Sequence, residues 1–201
     1  MKGLVFVVDD DAAVRDSLEL LLGSTGFETQ AFDSAEAFLA APREPGRGCL
    51  LSDIRMPGKS GVELLDFLRK QGDECPVVLI TGHGDVALAV EAMKRGAQDF
   101  IEKPFDAARL IEAITVALAQ SGVARPAIDP EAASRLAALS RRERQVMEGL
   151  LGGRSNKEIA RNYAISPRTV EVYRAHVMSK MRAGTFSELV QIAIRAGLRK
   201  A

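Results

Sequence analysis

Residues 4–11 read LVFVVDDD, a run apolar at successive positions that stops abruptly at three aspartates. A segment apolar at every position, rather than at every second one, belongs to a strand covered on both faces. The run VVLI at 77–80 repeats the pattern and is followed by Thr81. Working outward from these two, the candidate strands are Leu4–Val8, Glu28–Phe32, Cys49–Ser52, Val77–Thr81 and Phe100–Glu102. Amphipathic stretches near 12–24, 34–40, 60–71, 85–95 and 106–120 lie between and after them. Strands alternating with helices predict βαβ units, right-handed crossovers and a parallel sheet.

The pattern changes after residue 120. Residues 121–138, SGVARPAIDPEAASRLAA, carry two prolines and small or polar residues with no strand signal. They read as a linker whose second part is compatible with a helix. From Leu139 onward only helical segments follow, near 141–152, 155–163, 167–182 and 186–197. The division expected is 1–120, a linker at 121–138, and 139–201. Charge divides the same way: residues 1–121 hold 12 Lys+Arg against 20 Asp+Glu, a net of −8, and 122–201 hold 15 against 7, a net of +8. Opposite charges on two halves suggest different partners, with nucleic acid the candidate for the basic one.

Apolar residues at 47% and charged ones at 27% are ordinary for a packed soluble protein. No apolar run of about 18 residues occurs, so no membrane span is expected. The N-terminal apolar stretch ends in aspartates rather than small residues, which favours a strand over a secretory signal. Two cysteines, Cys49 and Cys75, suit a reducing compartment. The expected location is the cytoplasm.

In a doubly wound sheet, ligands bind beyond the carboxyl ends of the strands. Here those ends carry Asp9, Asp10 and Asp11 after the first strand, Asp53 after the third, Thr81 on the fourth, and Lys103 with Pro104 after the fifth. Carboxylates a few ångströms apart repel, and one protonates unless a cation joins them. Oxygen-only ligands select a hard cation such as Mg²⁺ (or Mn²⁺), which keeps several waters and favours phosphate partners. The chemistry expected is phosphoryl transfer to an aspartate nucleophile, with the metal and Lys103 neutralising the transferring group and Thr81 hydrogen-bonding it afterwards.

In the basic half, Ser140 with Glu143 and Ser155 with Glu158 have capping-box spacing, Gly152 and Gly153 close the helix between them, and Ser166-Pro167 makes an N-cap and first-turn proline. Helices 155–163 and 167–182, joined by a short turn, form a helix-turn-helix. Val170, Val177 and Met181 make a buried stripe on the second of these. Arg168, Thr169, Glu171, Val172, Arg174, Ala175 and His176 fall largely outside that stripe and are the candidates to read base edges in a major groove. Lys157 and Lys180 are the candidate phosphate contacts.

The motifs VVDDD at 7–11, SDIRMPGKSG at 52–61, ITGHG at 80–84 and EKPF at 102–105 resemble the receiver-domain signature over roughly residues 3–120. The stretch ERQVMEGLLGGRSNKEIA, with ISPRTVEVYRAHVMSKM after it, resembles the LuxR-type helix-turn-helix. In this order the two are similar to the FixJ branch of response regulators, a layout shared with regulators of aromatic-compound catabolism. The resemblance implies a flavodoxin-like receiver, a five-stranded parallel sheet in the order 2-1-3-4-5, joined to an all-α domain of four helices. It implies Asp53 as phosphoacceptor, and Asp9, Asp10, Asp53 and the Arg55 main-chain carbonyl as the metal set, with Asp10 the more direct ligand of the acidic pair. Thr81 and Phe100 match the switch pair, in which the hydroxyl swings toward the phosphoryl group and the aromatic turns inward. Asp11 is read as tuning the pocket's charge. His83 lies near the pocket mouth and reads as a solvated side chain.

The same resemblance implies a sensor histidine kinase, promoter DNA and RNA polymerase as partners, a homodimer on phosphorylation, no membrane, and transcriptional activation. The expected pairing face is 85–95, 99–103 and 105–117. The receiver is expected to promote only its own phosphorylation and dephosphorylation, not to be an enzyme. An aspartate-nucleophile phosphatase of the haloacid-dehalogenase type needs an Asp-x-Asp pair after the first strand, whereas these acids are contiguous and the nucleophile follows the third. A switch whose helical domain binds a protein is the other alternative, separated from DNA binding by a salt-dependent DNA shift.

Overall fold

The computed structural model describes residues 2–82, 86–120 and 129–198. His83, residue 85 at the start of the fourth expected helix, 121–128 of the linker and 199–201 lie outside the described residues. The chain forms two compact units, Met1–Val123 and Ala124–Ala201.

In the first unit β1 (Leu4–Val8), α1 (Ala12–Ser24), β2 (Glu28–Phe32), α2 (Ala35–Ala40), β3 (Cys49–Asp53), α3 (Gly61–Lys70), β4 (Val77–Thr81), α4 (Val86–Lys94), β5 (Asp99–Glu102) and α5 (Ala107–Ala119) alternate. The strands pair in parallel in the order β2-β1-β3-β4-β5. Every residue of β3 and β4 is buried, and all but Leu4 of β1, which is why these segments are apolar at successive positions. β2, at the edge, has no fully buried residue. Side chains alternate between the two faces of the sheet. Val5 and Val7 join Leu18 and Leu22 of α1 and Leu110, Ala113, Ile114 and Ala117 of α5 in one core layer. Phe6, between them in sequence, meets the ring of Phe38 of α2 edge-on, 5.4 Å between centroids. Burying a leucine such as Leu22 contributes roughly 1.5–3 kcal/mol, which fixes α1 against the sheet.

Two strands are longer than the sequence predicts. β3 runs to Asp53, because that residue still pairs with Ile80 in the ladder. β5 begins at Asp99, one residue before the expected Phe100. The buried Asp99 carboxylate accepts from the Phe100 amide at 2.8 Å and from Arg109 of α5 at 2.6 Å, so its charge is compensated where it lies.

The second unit holds α6 (Pro130–Ala137), α7 (Arg141–Leu151), α8 (Asn156–Tyr163), α9 (Pro167–Met181) and α10 (Phe186–Arg195), with no strand among the described residues. Four of these are the helices expected from Leu139 onward. The additional one, α6, occupies the second part of the segment read as linker. Asp129 caps it and Pro130 opens it, and its buried Ala132 and Leu136 lie on the side facing α9 and α10. Both expected capping boxes form, Ser140 with Glu143 and Ser155 with Glu158, and Ser166 caps α9. Val146, Leu150, Ile159, Ala160 and Val170 make the core between α7, α8 and α9. At Gly149 the helices approach so closely that a Cβ would lie 2.7 Å from Ile159 Cγ1.

Candidate functional site

Strand register assembles the acidic pocket. Val8 pairs with Ser52, so Asp9 and Asp53 each come directly after a paired residue and emerge side by side at the carboxyl edge. Thr81 pairs with Glu102, and the next amide, that of Lys103, donates to the Thr81 carbonyl at 2.7 Å. Lys103 therefore reaches back across the edge. Its Nζ donates to Asp53 Oδ1 at 2.7 Å and lies 3.5 Å from Asp9 Oδ2. Asp53 Oδ2 accepts from the Arg55 amide at 2.8 Å, and Asp9 Oδ1 accepts from the Asp11 amide at 2.9 Å. Asp53 and Asp9 are thus held at both oxygens, whereas the Asp10 carboxylate is exposed and makes no hydrogen bond among the described residues.

Electrostatics follow from burial and neighbours. Burial holds the Asp9 carboxyl above its ordinary value, over the opposing Asp11 amide and Lys103, with the Asp53 charge adding to the rise. Burial pulls the Lys103 ammonium down, but its hydrogen bond and charge interaction with Asp53, supported by Asp9, outweigh that and raise it. Lys103 is therefore a fixed positive charge beside the candidate nucleophile. Thr81 is fully buried and its hydroxyl donates to the Gly82 carbonyl at 3.2 Å, while Phe100 is buried too. Asp11, read as a tuner of charge, caps α1 by accepting from the Ala13 amide at 2.8 Å.

Among the described residues no three His, Cys, Asp or Glu side chains converge to hold a metal ion. Side chains alone therefore do not complete the metal set read from the sequence. The metal donors assigned to this edge from the sequence are nonetheless all oxygen: the carboxylates of Asp9, Asp10 and Asp53 and the main-chain carbonyl of Arg55, whose amide donates to Asp53. That donor chemistry fits a hard cation that completes its shell with water.

Sequence reading missed two supports of this edge. Arg15, on the first turn of α1, donates through Nη1 to the carbonyls of Asp9 at 2.8 Å and Asp10 at 3.1 Å. Gly61 opens α3 where a Cβ would lie 2.2 Å from the Asp53 carbonyl oxygen. Gly61→Ala is expected to cost about 2 kcal/mol, because backbone must shift to admit the methyl. Ser60→Ala, which removes the α3 cap beside it, should cost about 1 kcal/mol. Urea unfolding monitored by circular dichroism checks the order of the two.

In the second unit, Arg168, Glu171, Val172, Arg174, Ala175 and His176 are exposed on α9, as is Lys157 on α8. The stripe of Val170, Val177 and Met181 is buried as expected. Four candidates have internal partners. The Thr169 hydroxyl lies 2.8 Å from that of Ser166 at the helix cap. The Arg174 guanidinium stands over the Phe186 ring at 5.9 Å. Lys180 Nζ donates to Glu143 Oε2 at 2.7 Å. Glu143, read from the sequence only as a capping-box acid, is buried and also faces His176 Nδ1 at 3.8 Å. No periodicity rule reveals that pairing, because α7 and α9 meet only in the folded unit.

Two family models match this chain: a response regulator receiver domain over residues 5–115, and the luxR family of bacterial regulatory proteins over 137–193. The transcriptional regulatory protein FixJ of Bradyrhizobium diazoefficiens is 56% identical over 98% of this chain and 97% of its own length. The response regulator protein TodT of Pseudomonas putida is 37% identical, over 96% of this chain and 86% of its own. Among solved structures, full-length FixJ from B. japonicum aligns with a TM-score of 0.58 at 53% identity, covering 98% of both chains.

Proposed function

This chain belongs to the two-component response regulators that join a receiver to a LuxR-type DNA-binding domain, and it is a FixJ-like transcription regulator; on that premise we propose that Asp53 takes a phosphoryl group from a sensor histidine kinase and that this switches the second unit onto promoter DNA. The observation that carries the reading is the Asp53 carboxylate at the end of β3, held by Lys103 at 2.7 Å with Asp9 beside it.

One Asp53 oxygen forms the new P–O bond while the P–N bond to the donor's phosphohistidine breaks and its electron pair returns to the imidazole. Lys103 is fixed beside the attacking carboxylate, where its ammonium neutralises the phosphoryl oxygens that arrive on Asp53 and stabilises the phosphoaspartate. Asp9, Asp10, Asp53 and the Arg55 carbonyl would hold Mg²⁺ (or Mn²⁺), which supplies neutralisation of the phosphoryl oxygens when bound. The Thr81 hydroxyl exchanges Gly82 for a phosphoryl oxygen, and Phe100 adjusts behind it. Receivers then pair through α4, β5 and α5, and two copies of α9 meet two half-sites. Lys157, Arg168, Glu171, Val172 and Ala175 carry the DNA contacts, with Thr169, Arg174, His176 and Lys180 available once their internal partners are exchanged.

The site transforms no separate substrate, since its nucleophile is the residue that becomes modified. The described helices include none long and apolar enough to cross a membrane. We place the protein in the cytoplasm, where the kinase and RNA polymerase meet it, and read it as an activator. Acetyl phosphate with Mg²⁺ should place one phosphoryl group on Asp53, seen by mass spectrometry of borohydride-trapped peptides, and should shift sedimentation from monomer to dimer. A label on another residue, or a monomer after full labelling, would contradict the reading.

A further inference from the structure

We infer that Arg15 is a positioning residue for the acidic pair, holding the Asp9–Asp10 backbone so that the Asp10 carboxylate presents to a divalent cation; this rests on the receiver reading above. Asp9 needs little help, because its two oxygens already face the Asp11 amide and Lys103. Asp10 makes no such side-chain contact among the described residues, so its direction is set by the backbone on either side of it. That backbone is where Arg15 acts. One nitrogen, Nη1, takes the carbonyls of both Asp9 and Asp10, at 2.8 and 3.1 Å, from a helix whose first turn is anchored by the Asp11 cap. Charged donors make stronger hydrogen bonds than neutral ones, and a planar guanidinium keeps its geometry when it binds. Arg15 touches carbonyls rather than carboxylates, so it orients the ligands without competing for their oxygens. Groups that orient metal ligands from behind typically change affinity by about 10–100-fold when removed.

Mn²⁺ binding by electron paramagnetic resonance on the full, unphosphorylated chain tests this without any phosphoryl transfer. Arg15→Met keeps the aliphatic stem and removes both hydrogen bonds; about 10-fold weaker Mn²⁺ binding is expected. Arg15→Lys, with one compact ammonium, should recover part of the loss. Ser17→Gly, at an exposed position in the middle of α1, weakens the helix and leaves the Asp9 and Asp10 carbonyl contacts alone; its Mn²⁺ affinity should equal wild type. Equal affinity in Arg15→Met and wild type overturns the inference, and so does an equal loss in Ser17→Gly, which would make the effect one of helix stability. Asp10→Asn separates the two levels. If wild type binds no Mn²⁺, or Asp10→Asn binds as well as wild type, the metal site of the receiver reading fails and this inference fails with it. If Asp10→Asn weakens binding and Arg15→Met does not, only the role of Arg15 is lost.

Discussion

Asp53→Asn should keep the receiver folded and abolish every response to a phosphoryl donor. The carboxylate has two acceptor oxygens, one facing Lys103 and one facing the Arg55 amide. An asparagine has one, so a single donor loses this acceptor, at a cost of about 1 kcal/mol, well within the stability of a domain. What disappears is the nucleophile. Driving a two-state regulator from 1% to 99% active requires about 5.5 kcal/mol of differential stabilisation, and the variant has no phosphoryl group to supply it. With acetyl phosphate and Mg²⁺, wild type is expected to dimerise and bind its promoter about 100-fold more tightly or better, while Asp53→Asn sediments and binds as the untreated protein does. Analytical ultracentrifugation and a fluorescence-anisotropy titration at fixed salt give both numbers. Donor-dependent dimerisation in Asp53→Asn would place the switch on another residue.

The second large effect concerns Glu143 and belongs to stability. Lys180 donates to its carboxylate, and that hydrogen bond, joined by the Ser140 amide and hydroxyl against the opposing effect of burial, pulls the carboxyl down to about 2. A carboxyl whose folded pKa lies below its unfolded value of 4.5 contributes stability that is complete above 4.5 and is lost as pH falls toward 2. Glu143→Gln keeps a side chain competent for the capping box but removes the charge facing Lys180. At pH 7 it is expected to destabilise the second unit by about 2 kcal/mol, a value discounted for the half-exposed Lys180 partner. The gap between wild type and variant should then close between pH 4.5 and pH 2. The chain has two tyrosines and no tryptophan, and both Tyr163 and Tyr173 lie in the second unit. Tyrosine fluorescence during urea unfolding of the full chain therefore reports this unit selectively. A gap that persists unchanged at pH 2.5 would mean that the Glu143 charge is not what joins α7 to α9.

Much of the molecule is legible from residue order alone. The unbroken apolar runs of β1 and β4, short and bounded by polar residues, point to a sheet covered on both faces. Ser140, Ser155 and Ser166 mark helix starts because an N-cap is satisfied by residues three positions away. The pocket acids and Lys103 are legible for a related reason. In a parallel sheet the carboxyl ends of the strands share one edge, so the residues just beyond each strand share one site. These are short-range rules, or topological ones, and a linear sequence contains them.

Contacts between elements were decided only by the tertiary structure, whether their members lie five positions apart or 37. Arg15 closes on the carbonyls of Asp9 and Asp10 because the turn after β1 brings α1 back over the strand end. Gly61 is required by the Asp53 carbonyl, which the turn into α3 sets against it, and the GKSG motif does not show that distance. Asp99 falls outside the strand expected from the sequence, and Arg109 compensates its charge from α5. Lys180, a candidate phosphate contact in the sequence, also meets Glu143, which α7 brings beneath it from 37 positions away. The helix α6 likewise has a weak signature, and what places it in the second unit is an apolar pair, Ala132 and Leu136, buried where it meets α9 and α10. In each case the pairing carries no periodic signal in the sequence, and where a charged member is buried, as with Asp99 and Glu143, loss of water makes its partner energetically necessary.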